Sequence, residues 1–149
     1  MAYETISFST RDGIATLMLN RPQVMNALNT KMRAEITEAL NTLPEDVRCV
    51  VMTGAGAAFC SGQDLSDAAA GADIEGTLRR EYEPMLQAVI DCRAPVICAV
   101  NGAAAGAGAA GERLSVADAE WAELACGGIP PGAVAAKSDR PGGGPDGPD

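Results

Sequence analysis

Residues 49–65 read CVVMTGAGAAFCSGQDL. The first five positions, 49–53, are almost wholly apolar, as expected of a short strand covered on both faces. Gly54, Ala55 and Gly56 then close the strand, and a run of small residues leads to Ser61, Gly62, Gln63, Asp64 and Leu65. The same grammar returns at residues 95–109, PVICAVNGAAAGAGA: an apolar run over 95–100, then a loop of Gly and Ala. Two buried strands, each followed by a loop of small residues, frame the reading of the whole chain.

Upstream, residues 6–10 and 14–19 are β-rich and are separated by Asp12-Gly13, a turn pair that tolerates φ > 0 and signals a hairpin. Asn20-Arg21-Pro22 breaks the second strand. Asn29 or Thr30 can cap a helix whose apolar face is Met32, Ile36, Ala39, Leu40 and Leu43, ended by Pro44. Between the two loops, residues 67–76 read as a polar, mobile loop. Tyr82, Met85, Leu86, Val89 and Ile90 restore helical spacing, with Pro84 in the first turn of a second helical piece. Hairpin, helix, strand, loop, helix, strand, loop predicts an α/β layered fold. At 149 residues one domain is expected.

From Gly111 the texture changes. Residues 112–124 place Leu114, Ala117, Trp121 and Leu124 at helical spacing, but the chain then becomes rich in Gly and Pro, and disorder is the default reading for such a tail. The expected division is 1–110 for the folded part and 111–149 for the tail.

Composition narrows the chemistry. There is no histidine, which removes Ser-His-Asp and Cys-His nucleophile systems and the commonest metal ligand. A net charge of −9 disfavours nucleic acid and anionic membrane surfaces as partners. No apolar run is long enough to span a bilayer. The N-terminal residues carry no basic-then-apolar pattern, so a cytoplasmic location is expected. Five cysteines without a CxxC pair suggest reduced thiols, with Cys49 and Cys98 as small buried hydrophobes.

The two loops admit two readings. Small residues let a ligand approach the backbone, and loops that lead into helices aim free N–H groups at an anion or oxyanion. Alternatively, Gly and Ala merely permit tight strand–helix packing. Residues 106–111, GAGAAG, also fit the dinucleotide pattern GxGxxG, but the first glycine comes too long after the strand and no acid-tipped second strand follows.

Asn20-Arg21-Pro22, Asn26-Ala27-Leu28, the loop from Thr53-Gly54 to Asp64-Leu65, and residues 95–109 occur together in an order and spacing that resemble the crotonase superfamily, the enoyl-CoA hydratases and isomerases. The wording of residues 62–65 and 104–109 is most similar to the ring-1,2-epoxyphenylacetyl-CoA isomerase branch of phenylacetate degradation. The resemblance covers about residues 1–109 and implies a crotonase-like fold of ββα repeats, N-terminal portion only. It implies an acyl-CoA thioester as substrate, with CoA part of the substrate and no metal or redox cofactor. It assigns the two backbone N–H donors of an oxyanion hole to Gln63 and Ala107. Fixed donors of that kind are each worth roughly 2.7–4 kcal/mol. Ser61, Gly62, Asp64, Leu65 and Gly106 would line the acyl and CoA path, and Val24 and Ala27 would touch CoA. For Asp64, capping a following helix is the alternative role.

The family pattern then fails. Where hydratases place a glutamate, three residues after the second donor, this chain has Ala110. Near the isomerase-type acid position it has Pro131, after Gly128-Ile129-Pro130. Glu112, Glu120 and Glu123 match no family acid and read as solvated charges. The later strands and the helices that build the family's homotrimer or hexamer have no counterpart in the sequence. The expectation is therefore a crippled enzyme or a non-catalytic CoA-thioester-binding remnant, with residues 111–149 an out-of-frame translation, a genuine gene remnant, or the own tail of a divergent short protein.

Overall fold

The computed structural model describes residues 2–67 and 73–105. The expectations for residues 106–149, including Gly106, Ala107 and Ala110, lie outside them.

Strands β1 (Ile6–Arg11) and β2 (Ile14–Leu19) pair antiparallel, Ile6 opposite Leu19 and Arg11 opposite Ile14. Asp12 and Gly13 take φ values of 52° and 79°, the double left-handed turn that suits the twist of a hairpin. The chain leaves β2 through a single 3-10 turn, Pro22–Val24. Helix α1 (Thr30–Asn41) starts where the sequence placed it: the Asn29 side chain accepts from Met32 N at 2.9 Å. It stops at Asn41, with Thr42 N–H closing on Glu38 O, so Pro44 follows the end rather than making it.

Strand β3 (Cys49–Gly54) lies parallel to β2 and is buried along its first four residues. A very short strand β4 (Ala58–Cys60) follows inside what the sequence presented as loop. Helix α2 (Ile74–Thr77), a π-helical turn (Leu78–Tyr82) and helix α3 (Glu83–Ile90) form one continuous helical run. The expected loop over 67–76 is therefore helical from Ile74. Asp73 starts the helix by accepting from Gly76 N at 2.8 Å.

Strand β5 (Val96–Cys98) completes a four-stranded sheet in the order β1-β2-β3-β5. A two-residue strand β6 (Ala103–Ala104) pairs parallel with β4 as a second, separate sheet. The core lies between the main sheet and the helices. Leu17, Leu19, Val50 and Met52 meet Met32, Ile36, Ala39 and Leu40 of α1 and Met85 and Ala88 of α3. Ile90, read as part of the apolar face, is 59% exposed, because at 3.6 residues per turn it is rotated about 140° from Met85. Cys49 and Cys98 are buried as expected, but Cys49 is disulfide-bonded, so the reduced-thiol reading does not hold for it. No helix among the described residues is long and apolar enough to cross a membrane.

Candidate functional site

Two asparagines hold the loops at the ends of β3 and β5. Asn26 is fully buried, with φ of 55°. Its Oδ1 accepts from Arg21 N at 2.9 Å, and its Nδ2 donates to Ala55 O and Ala58 O, both at 2.9 Å. The turn after β2 is thereby fastened to the loop after β3. Asn101 does the same from the other side: Oδ1 accepts from Gly54 N at 2.9 Å, and Nδ2 donates to Gly56 O at 3.0 Å. Next to it, a Cβ on Gly102 would sit 2.0 Å from Ala57 O. Only glycine lets the two loops come this close.

The second loop runs beside the first. Ala103 pairs with Ala58, Ala104 with Cys60, and Ala105 N donates to Cys60 O at 3.0 Å. The small-residue loops that the sequence analysis set side by side are thus physically adjacent through residue 105. Ala107 is two positions beyond.

The amides after β4 are paired in a pattern that leaves one out. Ser61 N donates to Met25 O at 3.0 Å and Asp64 N to Leu28 O at 3.0 Å. Leu28 N returns a bond to Gly62 O at 2.7 Å, making a parallel bridge between Leu28 and Gln63. A parallel bridge of this kind engages the Gly62 carbonyl and the Asp64 N–H, and turns the Gln63 N–H away. That N–H has no acceptor among the described residues, and residue Gln63 is exposed. Gly62, at φ of 104°, supplies the left-handed step that makes the turn.

Asp64 is 7% exposed and sits in an ion pair with Arg21 at 2.8 Å. The same Arg21 nitrogen donates to Ala27 O at 2.6 Å. The other Asp64 oxygen accepts from Ser66 N at 3.0 Å and from Ser66 Oγ at 2.6 Å. The Ser66 hydroxyl, then the Arg21 guanidinium, hold its carboxyl below the ordinary aspartate value against the cost of burial. Asp64 therefore fastens the loop and caps no helix among the described residues.

The remaining predicted positions divide by exposure. Val24 and Leu65 are open to solvent, Leu65 at 89%, whereas Ala27 is buried. Ser61 Oγ donates to Val24 O at 3.3 Å. Burial pushes the neighbouring Cys60 thiol up, which argues against a thiolate nucleophile. No cluster of His, Cys, Asp or Glu that could hold a metal occurs among the described residues.

Sequence reasoning passed over Arg33. It is 1% exposed and makes bonds to Leu28 O, Thr30 Oγ1, Glu81 and the Tyr82 hydroxyl, with the Tyr82 ring 4.7 Å from its guanidinium carbon. A signal existed: Arg33 stands at helical spacing from Ile36 and Leu40, inside the apolar stripe. Glu35 was missed as well. Its carboxylate takes bonds from Glu4 N at 2.9 Å and Thr5 N at 2.8 Å, and another from Thr5 Oγ1. Burial alone would raise its pKa, but these bonds together lower it.

This geometry has known counterparts. The profile of the family described as "Enoyl-CoA hydratase/isomerase" matches residues 9–119. Over 110 residues the chain is 56% identical to a "Probable enoyl-CoA hydratase" of Rhodobacter capsulatus, covering 73% of this chain and 43% of that protein. Over 113 residues it is 42% identical to the 1,2-epoxyphenylacetyl-CoA isomerase of Escherichia coli, covering 71% and 43%. Its fold superposes on a crystal structure of an enoyl-CoA hydratase/isomerase from Pseudoalteromonas atlantica with a TM-score of 0.66 at 29% identity, covering 76% and 46%. The chain spans less than half the length of the curated relatives it matches. The match in sequence and in the crotonase fold together mean that this chain belongs to the enoyl-CoA hydratase/isomerase family.

Proposed function

We propose that this chain forms the acyl-CoA-binding, oxyanion-donating half of an enoyl-CoA hydratase/isomerase site. Gln63 N–H is the first donor to the thioester carbonyl and Ala107 N–H the second. CoA enters as part of the substrate, and no resident metal or redox group takes part. The observation that carries the reading is the unspent Gln63 N–H, set between the Gly62 carbonyl and the Asp64 N–H, both of which are engaged by Leu28. A donor whose neighbours are locked cannot swing to another acceptor, so it costs little reorganisation when charge develops on an oxygen in front of it. The adjacency of residues 103–105 to β4 supports a second donor arriving from the other loop.

Val24, Ala27, Ser61, Gly62, Leu65 and Gly106 line the thioester path in this reading, and Asp64 holds it in place. The hydratase acid position is filled by Ala110, and the Gly-Ile-Pro turn before Pro131 comes too early after Ala109 to supply the isomerase acid. General acid–base groups contribute roughly 10²–10⁴-fold, so turnover of enoyl-CoA by this chain is expected to be slight, and binding without turnover is the main activity. The family profile ends at residue 119, nine residues beyond the boundary expected from the sequence. The relative named as 1,2-epoxyphenylacetyl-CoA isomerase favours an aromatic acyl group of the phenylacetate type.

The test replaces the Gln63 backbone amide by an ester, which deletes that N–H and weakens the Gly62 carbonyl as acceptor for Leu28 N, so retained protection of Leu28 N–H serves as the control that the bridge survives. Calorimetric titration with crotonyl-CoA and with free CoA then reads the donor directly. Loss of one hydrogen bond to the carbonyl should weaken crotonyl-CoA by up to about tenfold and leave free CoA unchanged. Equal affinities of the amide and ester chains for crotonyl-CoA would overturn the assignment. Binding of NAD without any CoA thioester would return the glycine loop to the dinucleotide reading. Hydration at the rate of an ordinary family member would refute the crippled state.

A further inference from the structure

Arg33 lies outside every motif that identified the family, yet it touches the same carbonyl that locks Gln63. Its Nη1 donates to Leu28 O at 2.7 Å, and that oxygen also accepts Asp64 N at 3.0 Å. Leu28 O is thus gripped by a charged donor on one side and by the loop amide on the other. The Leu28–Gln63 bridge depends on where Leu28 sits. Arg21 grips the preceding carbonyl, Ala27 O, and the Asp64 carboxylate. Two guanidinium groups therefore hold two consecutive carbonyls on the strand of chain that sets the donor.

Arg33 is itself held from the helical run. Glu81 takes bonds from its Nε at 2.8 Å and from its Nη2, and the Tyr82 hydroxyl and ring contact it. Glu81 and Tyr82 are consecutive, and both belong to the π-helical turn. A π turn is a costly departure from α geometry and is commonly kept where it re-aims side chains. Asp67, at 3.5 Å from Nη2, ties in the loop after Gln63. A planar fork with several fixed donors can hold all of these at once; an ammonium group cannot.

We propose that Arg33 is a positioning residue for the oxyanion donor: clamped by Glu81 and Tyr82 of the π turn, it fixes Leu28 O and through it the direction of Gln63 N–H. This rests on the reading of Gln63 as a donor, so the test has one arm that needs no ligand.

The first arm is amide hydrogen exchange by NMR on the full chain, comparing wild type with Arg33→Lys. Arg33→Met/Glu81→Met serves as a second variant, because removing both charges together avoids leaving the half-buried Glu81 carboxylate without its partner. Exchange at Asp64 N–H should quicken roughly tenfold, the size of a lost charge-assisted bond, while the β3 amides of Val50 and Val51 keep their protection. Uniform quickening at both places would mean a merely structural role, and unchanged exchange at Asp64 would also overturn the proposal. The second arm records the carbonyl stretch of carbonyl-labelled crotonyl-CoA bound to each chain. Wild type should lower the frequency, and Arg33→Lys should lose most of that lowering while free CoA binds as before. No lowering in wild type sinks the Gln63 reading and leaves the exchange arm to decide Arg33; full lowering in Arg33→Lys sinks the role of Arg33 alone.

Discussion

Replacing Asn26 by alanine should be among the most damaging single changes in the chain. The side chain makes three bonds of 2.9 Å to backbone groups: it accepts from Arg21 N and donates to Ala55 O and Ala58 O. The residue is fully buried, and of its three partners Ala58 O is sealed from water while Arg21 N and Ala55 O lie at a partly buried edge. At about 1 kcal/mol for each bond, the loss is about 3 kcal/mol. The backbone adds a second cost. Asn26 sits at φ of 55°, where asparagine is tolerated and alanine costs about 1 kcal/mol more. Asn26→Gly separates the two, since glycine removes the bonds but is at ease in that conformation. Asn26→Asp keeps the acceptor but aims a carboxylate at two carbonyls, and should do no better than alanine. Urea unfolding followed by circular dichroism reads all four chains, with a fall in midpoint at constant slope as the expected pattern. Against a total of about 5–15 kcal/mol for a natural domain, Asn26→Ala should remove between about a quarter and most of the stability. A cost below about 1 kcal/mol, or a glycine variant no more stable than the alanine one, would refute the account of this residue as a buried staple in a left-handed turn.

Two further outcomes follow from the same loops. The Asp64 carboxyl is held below its ordinary value of 3.8 by Ser66 and Arg21. A depressed folded-state pKa gives stability that is present above the unfolded value and disappears as pH falls through the folded one. Stability should therefore drop below pH 3.8, and Asp64→Asn should flatten that limb; a limb unchanged in urea titrations at stepped acid pH would remove Asp64 from the explanation. Gly102→Ala places a methyl 2.0 Å from Ala57 O, and overpacking of this kind costs about 1–3 kcal/mol. The expected local sign is faster exchange of Ala105 N–H, which pairs with Cys60 O; protection equal to wild type would show that the loops need not approach so closely.

Local chemistry made much of the fold readable. Asp12-Gly13 declared its turn, Asn29 its cap, and residues 49–53 a strand covered on both faces, because each signal lies within a few neighbouring residues. The resemblance to the family rested on backbone-shaping motifs, and it located the loops that the structure brings together. What escaped was set by partners far away in the chain. Strands β4 and β6 are runs of Ala, Phe and Cys with no periodicity, and they exist because Ala58 meets Ala103 across 45 positions of sequence. Ile74 begins a helix inside a polar stretch because Asp73 caps it. Arg33 was passed over because its partners Glu81, Tyr82 and Leu28 O meet it only on folding. Asn26 and Asn101 were visible as letters of motifs, but their work as staples depends on carbonyls that only folding brings near.

The asparagine staples also bear on how fast the molecule comes and goes. Asn26 reaches over 29 and 32 residues to its carbonyl partners, and Asn101 reaches back 45 residues to Gly56 O. Each such contact must first overcome the entropy of closing a long loop, and topologies dominated by distant, parallel pairings are slow to assemble. The hairpin of β1 and β2 and helix α1 can form early from neighbouring residues. The two small-residue loops can be drawn together only after β2, β3 and β5 have found their register. Staples made after the folding barrier act on the unfolding rate rather than the folding rate. In kinetic terms the two asparagines are latches: they set how long the assembled loops stay shut, and hardly affect how quickly the sheet beneath them forms.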